Sequence, residues 1–370
     1  MRIVSLLPSA TEIVYALGLG DQLEGRTFEC DYPPEAQQKP IVSSSGLPEN
    51  LLLGEIDDAV RAATAGETPL YRLDEARIAQ IQPDLILTQD LCRVCAVPSG
   101  DVEEALGRLG CRAEVVSLDP HSLDDVMIDI QNVGRAAGVD ARADLLLDSL
   151  RARMAAVEAS VSLASVARFG ADADPPRVLV LEWVDPPWGA GHWIPDMVER
   201  AGGELVLGHK GGHAEVTMWD AVREEAPTIV VVAPCGYHLA EATEQARAVL
   251  AELATTPAGR HNQVWAIDAD AYLVRPGPRL VDGLELLAWI IAGAEWTRTF
   301  INSVVTDQAE HTRVRDELRT TRAAQKRRLV RPPGPARPRG QGPRTRHRSS
   351  GPRARRRGCG SRAMPVGAPR

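Results

Sequence analysis

Four cysteines have the residue type and spacing for metal or redox chemistry. Cys92 and Cys95 form a C-x₂-C motif, a spacing that can place two sulfurs on one metal ion or in one disulfide. Cys30 and Cys235 follow other strand-like segments, so three loops could bring four thiols together. Thiols persist as metal ligands in a reducing compartment, and the pattern therefore indicates a zinc or iron–sulfur site at Cys30, Cys92, Cys95 and Cys235. The alternative is four separate small buried residues.

Aromatic and polar residues cluster in one short segment. Trp183, Trp188 and Trp193 fall within eleven residues and are flanked by proline and glycine. Flat rings supply contact area for a macrocyclic ligand, but they could equally form a small cluster that props up the loop. His192 could be an axial ligand of cobalt, iron or zinc, or it could cap the following helix. Glu182, at a strand end, is a candidate polar anchor.

Further polar residues lie near other strand ends. Arg275 could contact a ligand carboxylate or amide, or cap a neighbouring helix, whereas Asp268 and Asp270 are expected to be turn residues. His209 and His213 have ligand-like spacing on a glycine loop. Exposed histidines of this kind are usually solvated, so we expect no metal there.

Motifs of the common enzyme classes do not follow the strand-like segments. There is no G-x-S-x-G, no G-x₄-G-K-[ST] and no G-x-G-x-x-G in such a position. Cys235 and His238 are a conceivable nucleophile–base pair, which keeps a thiol-dependent redox or metal-transfer activity as a second hypothesis.

The elements that must position these residues alternate between strands and helices. Apolar strand-like runs occur at Ile3–Leu6, Leu85–Thr88, Glu114–Leu118, Val178–Leu181, Ile229–Ala233 and Val264–Ile267. Helical patterns occur at Thr11–Leu17, Val102–Leu109, Pro195–Ala201, Trp219–Glu225, Ala240–Leu253 and Leu280–Ile291. This alternation predicts an α/β fold with parallel sheets covered on both faces, in which ligands bind beyond the carboxyl ends of the strands.

One segment departs from the alternation. From Leu123 to about Val166 the pattern is helical with an interruption near Gly138. Its second part, Ala141–Val166, would form a rod of about 40 Å, with an apolar stripe that we expect to be Leu145, Leu146, Leu150, Met154, Val157 and Val161. We therefore predict an N-terminal α/β lobe at 1–122, a connecting helical strut at 123–170, a C-terminal α/β lobe at 171–298 and a tail at 299–370.

The first residues predict a strand followed by a helix. Pro8 marks a turn, and Ser9-x-x-Glu12 has the pattern of a helix-capping box. No basic region, apolar stretch and small-residue cleavage site precede them, so the sequence predicts a cytoplasmic protein, or a periplasmic or cell-surface one if the true start lies upstream.

The amino-acid composition excludes several other classes of protein. Hydrophobic residues make up 44% and charged residues 25% of the 370 residues, which excludes collagen, coiled coil and wholesale disorder. The segment Arg322–Arg370 has 16 Lys and Arg and no acidic residue, leaving 26 basic against 50 acidic residues in the rest. This tail is poor in large apolar residues, so we predict disorder. Nucleic acid could bind only there, but no aromatic residue interleaves the arginines, which favours an accidental extension.

Several ordered segments resemble one known family. Similarity to the substrate-binding proteins of vitamin B12 and iron-siderophore ABC importers spans Met1 to Ile291 and is carried by Ile3–Gly18, Pro83–Leu87, the helical strut and Pro278–Leu280. The branch usually described as cobalamin-binding is most similar at Glu29–Pro33, Cys92-x-x-Cys95, Glu182-Trp183 and Gly191–Trp193.

The resemblance implies the helical-backbone class, with two α/β lobes, parallel central sheets, one long connecting helix and a ligand cleft between the lobes. It implies a binding protein that is not an enzyme, that takes a corrinoid or related metal chelate and that requires no cofactor. An ABC permease is the implied partner, although no export signal supports this. The expected ligand contacts are Ser9, Cys30, Asp31, Tyr32, Glu182, Trp183, Trp188, His192, Trp193, Tyr237 and Arg275. The alternative is a cytoplasmic metal-thiolate or thiol-redox protein that uses the four cysteines.

Overall fold

The computed structural model describes residues 1–48, 51, 53–65, 70–90, 97–169 and 173–292. They belong to one compact unit, Met1–Arg322, and the second unit, Ala323–Arg370, lies outside the described residues. The predicted tail at 299–370 and the motif cysteines Cys92 and Cys95 also lie outside them. Within the described residues, no helix combines the length and the apolar content that crossing a membrane requires.

The N-terminal lobe is organised around a four-stranded parallel sheet. The lobe contains the strands β1 (Ile3–Ser5), β2 (Leu23–Arg26), β3 (Ser43–Ser45), β4 (Tyr71–Leu73), β5 (Leu85–Thr88) and β6 (Glu114–Ser117). The sheet has the order β2-β1-β5-β6, and β3 and β4 form a separate antiparallel pair. Its helices are α1 (Pro8–Ala16), α2 (Leu53–Ala65), α3 (Glu75–Ile81) and α4 (Ser99–Leu109).

The apolar runs of this sheet are continuous because both faces are buried. Ile3 and Leu85 pack in the cluster that includes α1, whereas Val4 and Ile86 pack with residues of α3 and α4 on the other face. This confirms the prediction of a parallel sheet with helices on both sides.

The predicted capping box is wrong. Helix α1 begins at Pro8, one residue before Ser9, and its N-cap residue Leu7 makes no side-chain cap. Proline is favoured at the first helical position because its missing N–H would have no partner there. Ser9 is therefore inside the helix, and its buried Oγ has no hydrogen-bond partner among the described residues.

Two helices form the predicted strut. Helix α5 (Leu123–Ala136) ends before Gly138, which has a φ of +69°, and α6 (Asp140–Phe169) continues for 30 residues. A capping box between Ser122 and Asp125 starts α5. The buried stripe of α6 includes Leu147, not the predicted Leu145, because Leu145 is 72% exposed.

Helix α6 contacts both lobes. Near its start, Arg142 donates to the carbonyl oxygen of Leu17 at 3.1 Å in the N-terminal lobe. Farther along, Arg153 donates to Glu285 at 2.9 Å and also pairs with Asp282, in the C-terminal lobe. The connecting element therefore holds both lobes through polar contacts as well as packing.

The C-terminal lobe contains a mixed sheet. The strands are β7 (Arg177–Val184), β8 (Pro187–Gly189), β9 (Glu204–Leu205), β10 (Glu215–Val216), β11 (Ile229–Val232) and β12 (Val264–Ala266). The order is β10-β8-β7-β11-β12, and β9 also pairs with β7. The helices are α7 (Ile194–Arg200), α8 (Trp219–Glu225), α9 (Leu239–Ala248), α10 (Pro257–His261), α11 (Ala269–Tyr272) and α12 (Leu280–Ala292).

Parallel pairing in this sheet involves β7, β9, β11 and β12. Strand β7 pairs in parallel with β11, and β11 in parallel with β12, as predicted. The tryptophan-rich segment is not the expected loop, because β8 turns back antiparallel to β7 and β10 adds a second antiparallel edge.

Candidate ligand site between the lobes

An aromatic pair stands at the carboxyl ends of two neighbouring strands. Trp183, near the end of β7, and Tyr237, after β11, have ring centroids 5.7 Å apart with planes inclined by 32°. Trp183 donates its indole N–H to the carbonyl oxygen of Asp185 at 3.0 Å, which fixes the ring. Both rings are partly exposed. The structure thus brings together two of the predicted ligand contacts.

The loop after β2 supplies the facing polar surface in the N-terminal lobe. The Tyr71 hydroxyl donates to both Glu29 carboxylate oxygens, at 3.2 and 3.1 Å, and the Phe28 ring lies 6.0 Å from the Tyr71 ring. Burial raises the pKa of Glu29 to about 7, against the opposing effect of the Tyr71 hydrogen bond. This carboxyl group therefore takes up or releases a proton near neutral pH.

Arg275 joins the two lobes through a forked ion pair. Its guanidinium pairs with Asp31 of the N-terminal lobe and, at 2.5 Å, with Asp270 of the C-terminal lobe. Burial opposes ionisation of Asp31, but the hydrogen bond and charge of Arg275 outweigh it and lower the pKa of Asp31. Arg275 therefore neither caps a helix nor stands open to a ligand, and Asp270 is an ion-pair partner, not a turn residue as expected.

His238 also contacts carboxylates on both lobes. Its Nε2 lies 3.1 Å from Asp31 and its Nδ1 lies 3.1 Å from Asp268. Burial lowers the pKa of His238, but the Asp268 charge and hydrogen bond outweigh it, so the net change is upward. Both ring nitrogens face carboxylates, so His238 is not placed as a base for Cys235.

Asp31, His238 and Asp270 offer ligand atoms within 4.8 Å of one another, a separation suited to a metal ion. The guanidinium of Arg275 already bridges Asp31 and Asp270, however. A metal ion would have to displace a buried cation that is bonded to the same carboxylates. The arrangement is therefore complete as an ion-pair network.

A second ion pair crosses the same region. Arg279 donates to both Glu12 carboxylate oxygens, at 2.8 and 2.5 Å, and its guanidinium lies 4.0 Å from the centroid of the Tyr32 ring. Burial raises the pKa of Glu12, although the Arg279 hydrogen bond and charge oppose this. Tyr32, a predicted ligand contact, is 44% exposed beside this pair.

The two lobes also meet at the opposite sheet edges. His121, which follows the edge strand β6, places its Nδ1 3.0 Å from the Gly211 carbonyl oxygen, just before the edge strand β10. Asp31 and Arg275 follow the edge strands β2 and β12. The space between these two contacts, flanked by the ends of β1, β5, β7 and β11, is called the interlobe crevice below.

Two of the four cysteines of the predicted metal site, Cys30 and Cys235, lie within the described residues. The Cys30 thiol is 1% exposed and lies 3.0 Å from the Thr11 hydroxyl, and burial raises its pKa to about 12. Cys235 is exposed and free. The group of three potential ligands within metal-binding distance in the described part of the chain contains no cysteine. Cys92 and Cys95 lie outside that part, so their role stays a prediction.

Other predicted contacts have structural partners. Trp193 is 5% exposed and donates to the Leu273 carbonyl oxygen at 2.7 Å, so it belongs to the core and not to the crevice surface. Glu182 of β7 accepts from the Gly191 N–H at 2.9 Å and so ties β7 to the loop after β8. Trp188 lies under Arg61 of the N-terminal lobe, 5.6 Å from its ring centroid.

His192 does not cap the following helix. The N-cap residue of α7 is Trp193, without a side-chain cap, and the Nε2 of His192 lies 3.2 Å from the Nδ1 of His213. Burial, with smaller contributions from His213 and His121, lowers the pKa of His192 to about 4.

Several residues of the crevice are not among the ligand contacts predicted from the sequence. Glu29, His238 and Arg279 stood inside motifs that follow strands, which was the available signal. Glu12 gave only the pattern of a helix-capping box and Tyr71 gave no signal, because a charged residue in α1 and a tyrosine in β4 are ordinary until the residues that they contact are known.

Two α/β lobes joined by a long helix, with aromatic and ion-paired residues between the carboxyl ends of their strands, define a two-lobed binding protein of the helical-backbone class. Residues 3–271 match the family model described as Periplasmic binding protein, and the chain belongs to that family. The family and its relative YvrC, described below, are binding proteins, which agrees with the expectation of a binding protein.

The substrate-binding lipoprotein YvrC of Bacillus subtilis, an ABC transporter protein, is 26% identical over 293 residues, or 78% of each chain. The vitamin B12-binding protein of Vibrio cholerae is 23% identical over 285 residues, which cover 77% of this chain and 86% of the relative. The periplasmic heme-binding protein RhuT from Roseiflexus sp. RS-1 has a TM-score of 0.59 at 24% identity, covering 79% of this chain and 98% of that chain.

The predicted cytoplasmic location is wrong. It rested on the missing export signal at the first residues, whereas the family is that of periplasmic binding proteins and YvrC is a lipoprotein. An N-terminal strand and helix that resemble the start of the folded domain carry no information on location by themselves.

Proposed function

We propose that the chain binds a cobalamin-like corrinoid, or a related metal chelate, in the interlobe crevice. The observation that carries this proposal is the Trp183–Tyr237 pair, with ring centroids 5.7 Å apart at the carboxyl ends of β7 and β11. Aromatic faces provide a large contact area with few rotatable bonds, which suits a flat macrocycle. Names of relatives that bind vitamin B12 or heme support the same ligand class.

The position of the aromatic pair supports its assignment to the crevice. The residue after Tyr237 is His238, which reaches Asp31 of the opposite lobe at 3.1 Å. On the other side of the pair, Trp188 of β8 contacts Arg61 of the opposite lobe. The pair therefore lies between two contacts that join the lobes, where a ligand would touch both.

The polar groups of the crevice suit the amides at the periphery of a corrinoid. Glu29, with a pKa of about 7, both donates and accepts hydrogen bonds near neutral pH. Tyr71 holds this carboxyl group through its hydroxyl. An amide side chain offers a donor and an acceptor, so it can pair with Glu29 in either protonation state.

The transport partner is proposed on the same basis. As a member of a family whose relatives serve ABC transporters, the chain would deliver its ligand to a membrane permease. The described cysteines give no support to the metal-thiolate alternative.

The test is calorimetric titration of the purified chain with hydroxocobalamin, haem and a ferric siderophore. One of the three should bind with one-to-one stoichiometry. Trp183→Ala should weaken it by about 2–3 kcal/mol, or roughly 30–160-fold in Kd, because about 100 Å² of aromatic contact is lost.

The matched control uses the other tryptophan pair of this lobe. Trp265 and Trp289 meet edge to face, with centroids 5.4 Å apart and planes inclined by 75°, and pack against the core, so Trp289→Phe should leave Kd unchanged. If the wild-type chain binds none of the three ligands, or if Trp183→Ala binds as the wild type does, the proposal is wrong.

A further inference from the structure

Two imidazoles meet at the β6 and β10 edge of the interlobe crevice. His192 Nε2 and His213 Nδ1 are 3.2 Å apart, and the ring planes are inclined by 83° with centroids 5.1 Å apart. They come from separate loops, one after β8 and one before β10. The two nitrogens are within hydrogen-bond distance of each other, so each ring brings one nitrogen to the same place.

The backbone holds the two loops together. His192 has a φ of +52°, a strained value for a residue with a side chain. Its N–H donates to the Gly212 carbonyl oxygen at 2.6 Å, and its own carbonyl oxygen accepts from the Gly211 N–H at 3.0 Å. A Cβ on Gly191 would lie 2.4 Å from the Ala214 nitrogen, so glycine is required for this approach. The meeting of the imidazoles is thus built into the loops.

A third imidazole comes from the opposite lobe. His121 Nδ1 lies 3.0 Å from the Gly211 carbonyl oxygen, and because a carbonyl oxygen only accepts, Nδ1 carries the proton. The Nε2 of His121 then has its lone pair available. A histidine whose other ring N–H donates to a backbone carbonyl is the usual arrangement of a metal ligand, since the bond fixes the tautomer.

The spacing of the pair fits a metal ion. Zinc–imidazole bonds are about 2.0–2.1 Å long, so two nitrogens 3.2 Å apart subtend about 100–106° at the metal, near the tetrahedral angle. Imidazole suits borderline divalent ions such as zinc, cobalt and nickel.

We propose that His192 and His213 chelate a divalent transition metal ion and that His121 joins them from the N-terminal lobe. In the structure two nitrogens are already together, and His121 is held to the same loop through its hydrogen bond to Gly211. A metal ion bound there fastens one edge of the crevice by linking the two lobes. This site is separate from the aromatic pair that the proposed function uses.

The experiment uses the full chain, stripped with a chelator and titrated with Zn²⁺, and with Co²⁺ for its absorption spectrum. The wild type should bind one equivalent. His213→Ala and His121→Ala should each weaken binding by more than the roughly 10–100-fold that loss of an outer-shell partner costs. Both side chains are exposed, so both variants are expected to fold, which thermal unfolding without metal will check.

His209→Ala is the matched control, because His209 stands in the same glycine loop, is 61% exposed and pairs with Glu215 at 3.5 Å. It should bind zinc as the wild type does. Absence of zinc binding, equal affinity of wild type and His213→Ala, or a thiolate-to-cobalt charge-transfer band would each overturn the proposal. If His192 and His213 only form a hydrogen bond with each other, the chain should bind no zinc. Corrinoid titration of His213→Ala tests the crevice separately.

Discussion

The Arg275 fork allows a quantitative test of how the lobes are held together. The substitution is Arg275→Gln, which removes the cation but keeps a hydrogen-bonding side chain. The Arg275 side chain is 10% exposed, and its partners Asp270 and Asp31 are 9% and 31% exposed. Removal of one partner of a buried ion pair costs about 3–5 kcal/mol, since the other charge stays buried. Asp31 keeps part of its hydration, so we expect the lower end, about 3 kcal/mol.

The control substitution is Arg108→Gln. The guanidinium of Arg108 also bridges two carboxylates, those of Glu75 and Glu104, but its side chain is 50% exposed. Exposed pairs contribute about 0–1 kcal/mol, because water and salt screen them. At about 2–4 °C per kcal/mol, Arg275→Gln should lower Tm by roughly 6–12 °C and Arg108→Gln by less than about 4 °C.

The measurement is calorimetry of both variants at pH 8 and pH 5. Burial raises the pKa of Asp270 even with Arg275 present, so without the cation this carboxyl group takes up a proton more readily as the pH falls. Protonation removes the unpaired charge, and the deficit of Arg275→Gln should therefore shrink at pH 5. Equal shifts for the two variants, or a deficit independent of pH, would refute the reasoning.

The remaining predictions concern groups outside this network. Burial, followed by the charges of neighbouring aspartates, raises the pKa of Asp129 to about 7. Ionised Asp129 therefore destabilises the fold as the pH rises above the pKa that this group has in the unfolded chain. Asp129→Asn should raise Tm at pH 8 but not at pH 4. In Gly134→Ala the new Cβ would lie 2.5 Å from that of Ala143, which should cost about 1–3 kcal/mol of unfolding free energy. Gly107→Ala, with open space around the added Cβ, should instead stabilise the fold by up to about 1 kcal/mol. Denaturant titration of the two variants measures both effects. Iodoacetamide at pH 8 should label exposed Cys235 and leave buried Cys30 unlabelled in a peptide map, and labelling of both would contradict the thiol assignment.

Local patterns were sufficient to predict most of the fold. Helix α8 has the predicted bounds Trp219–Glu225, and the buried strands β5 and β11 match their apolar runs, because continuous burial leaves a strong trace in the sequence. The short strands β8 and β10 left none: two or three residues cannot show a period. Leu145 was misassigned for a related reason, since a leucine-rich stretch of helix fits more than one buried face.

The candidate site was less accessible to sequence reasoning. Arg275 and Asp31 are separated by 244 positions, and no local pattern indicates that they pair. Trp193 was grouped with Trp183 by proximity along the chain, although the start of α7 turns it into the core. His213 was set aside as a solvated residue because only the fold shows that its loop returns to His192.

The two lobes are joined at both edges of the crevice, and these contacts affect how fast a ligand can enter. Strands in a sheet are about 4.8 Å apart, so the opening spans roughly 14 Å across the N-terminal sheet and roughly 19 Å across the C-terminal one. Small solutes can diffuse through such a gap, whereas a large flat macrocycle must first break the Arg275–Asp31 contact. Association of a large ligand would then be slow. Because salt screens a buried pair only weakly, its rate would change little with ionic strength, unlike electrostatically steered capture.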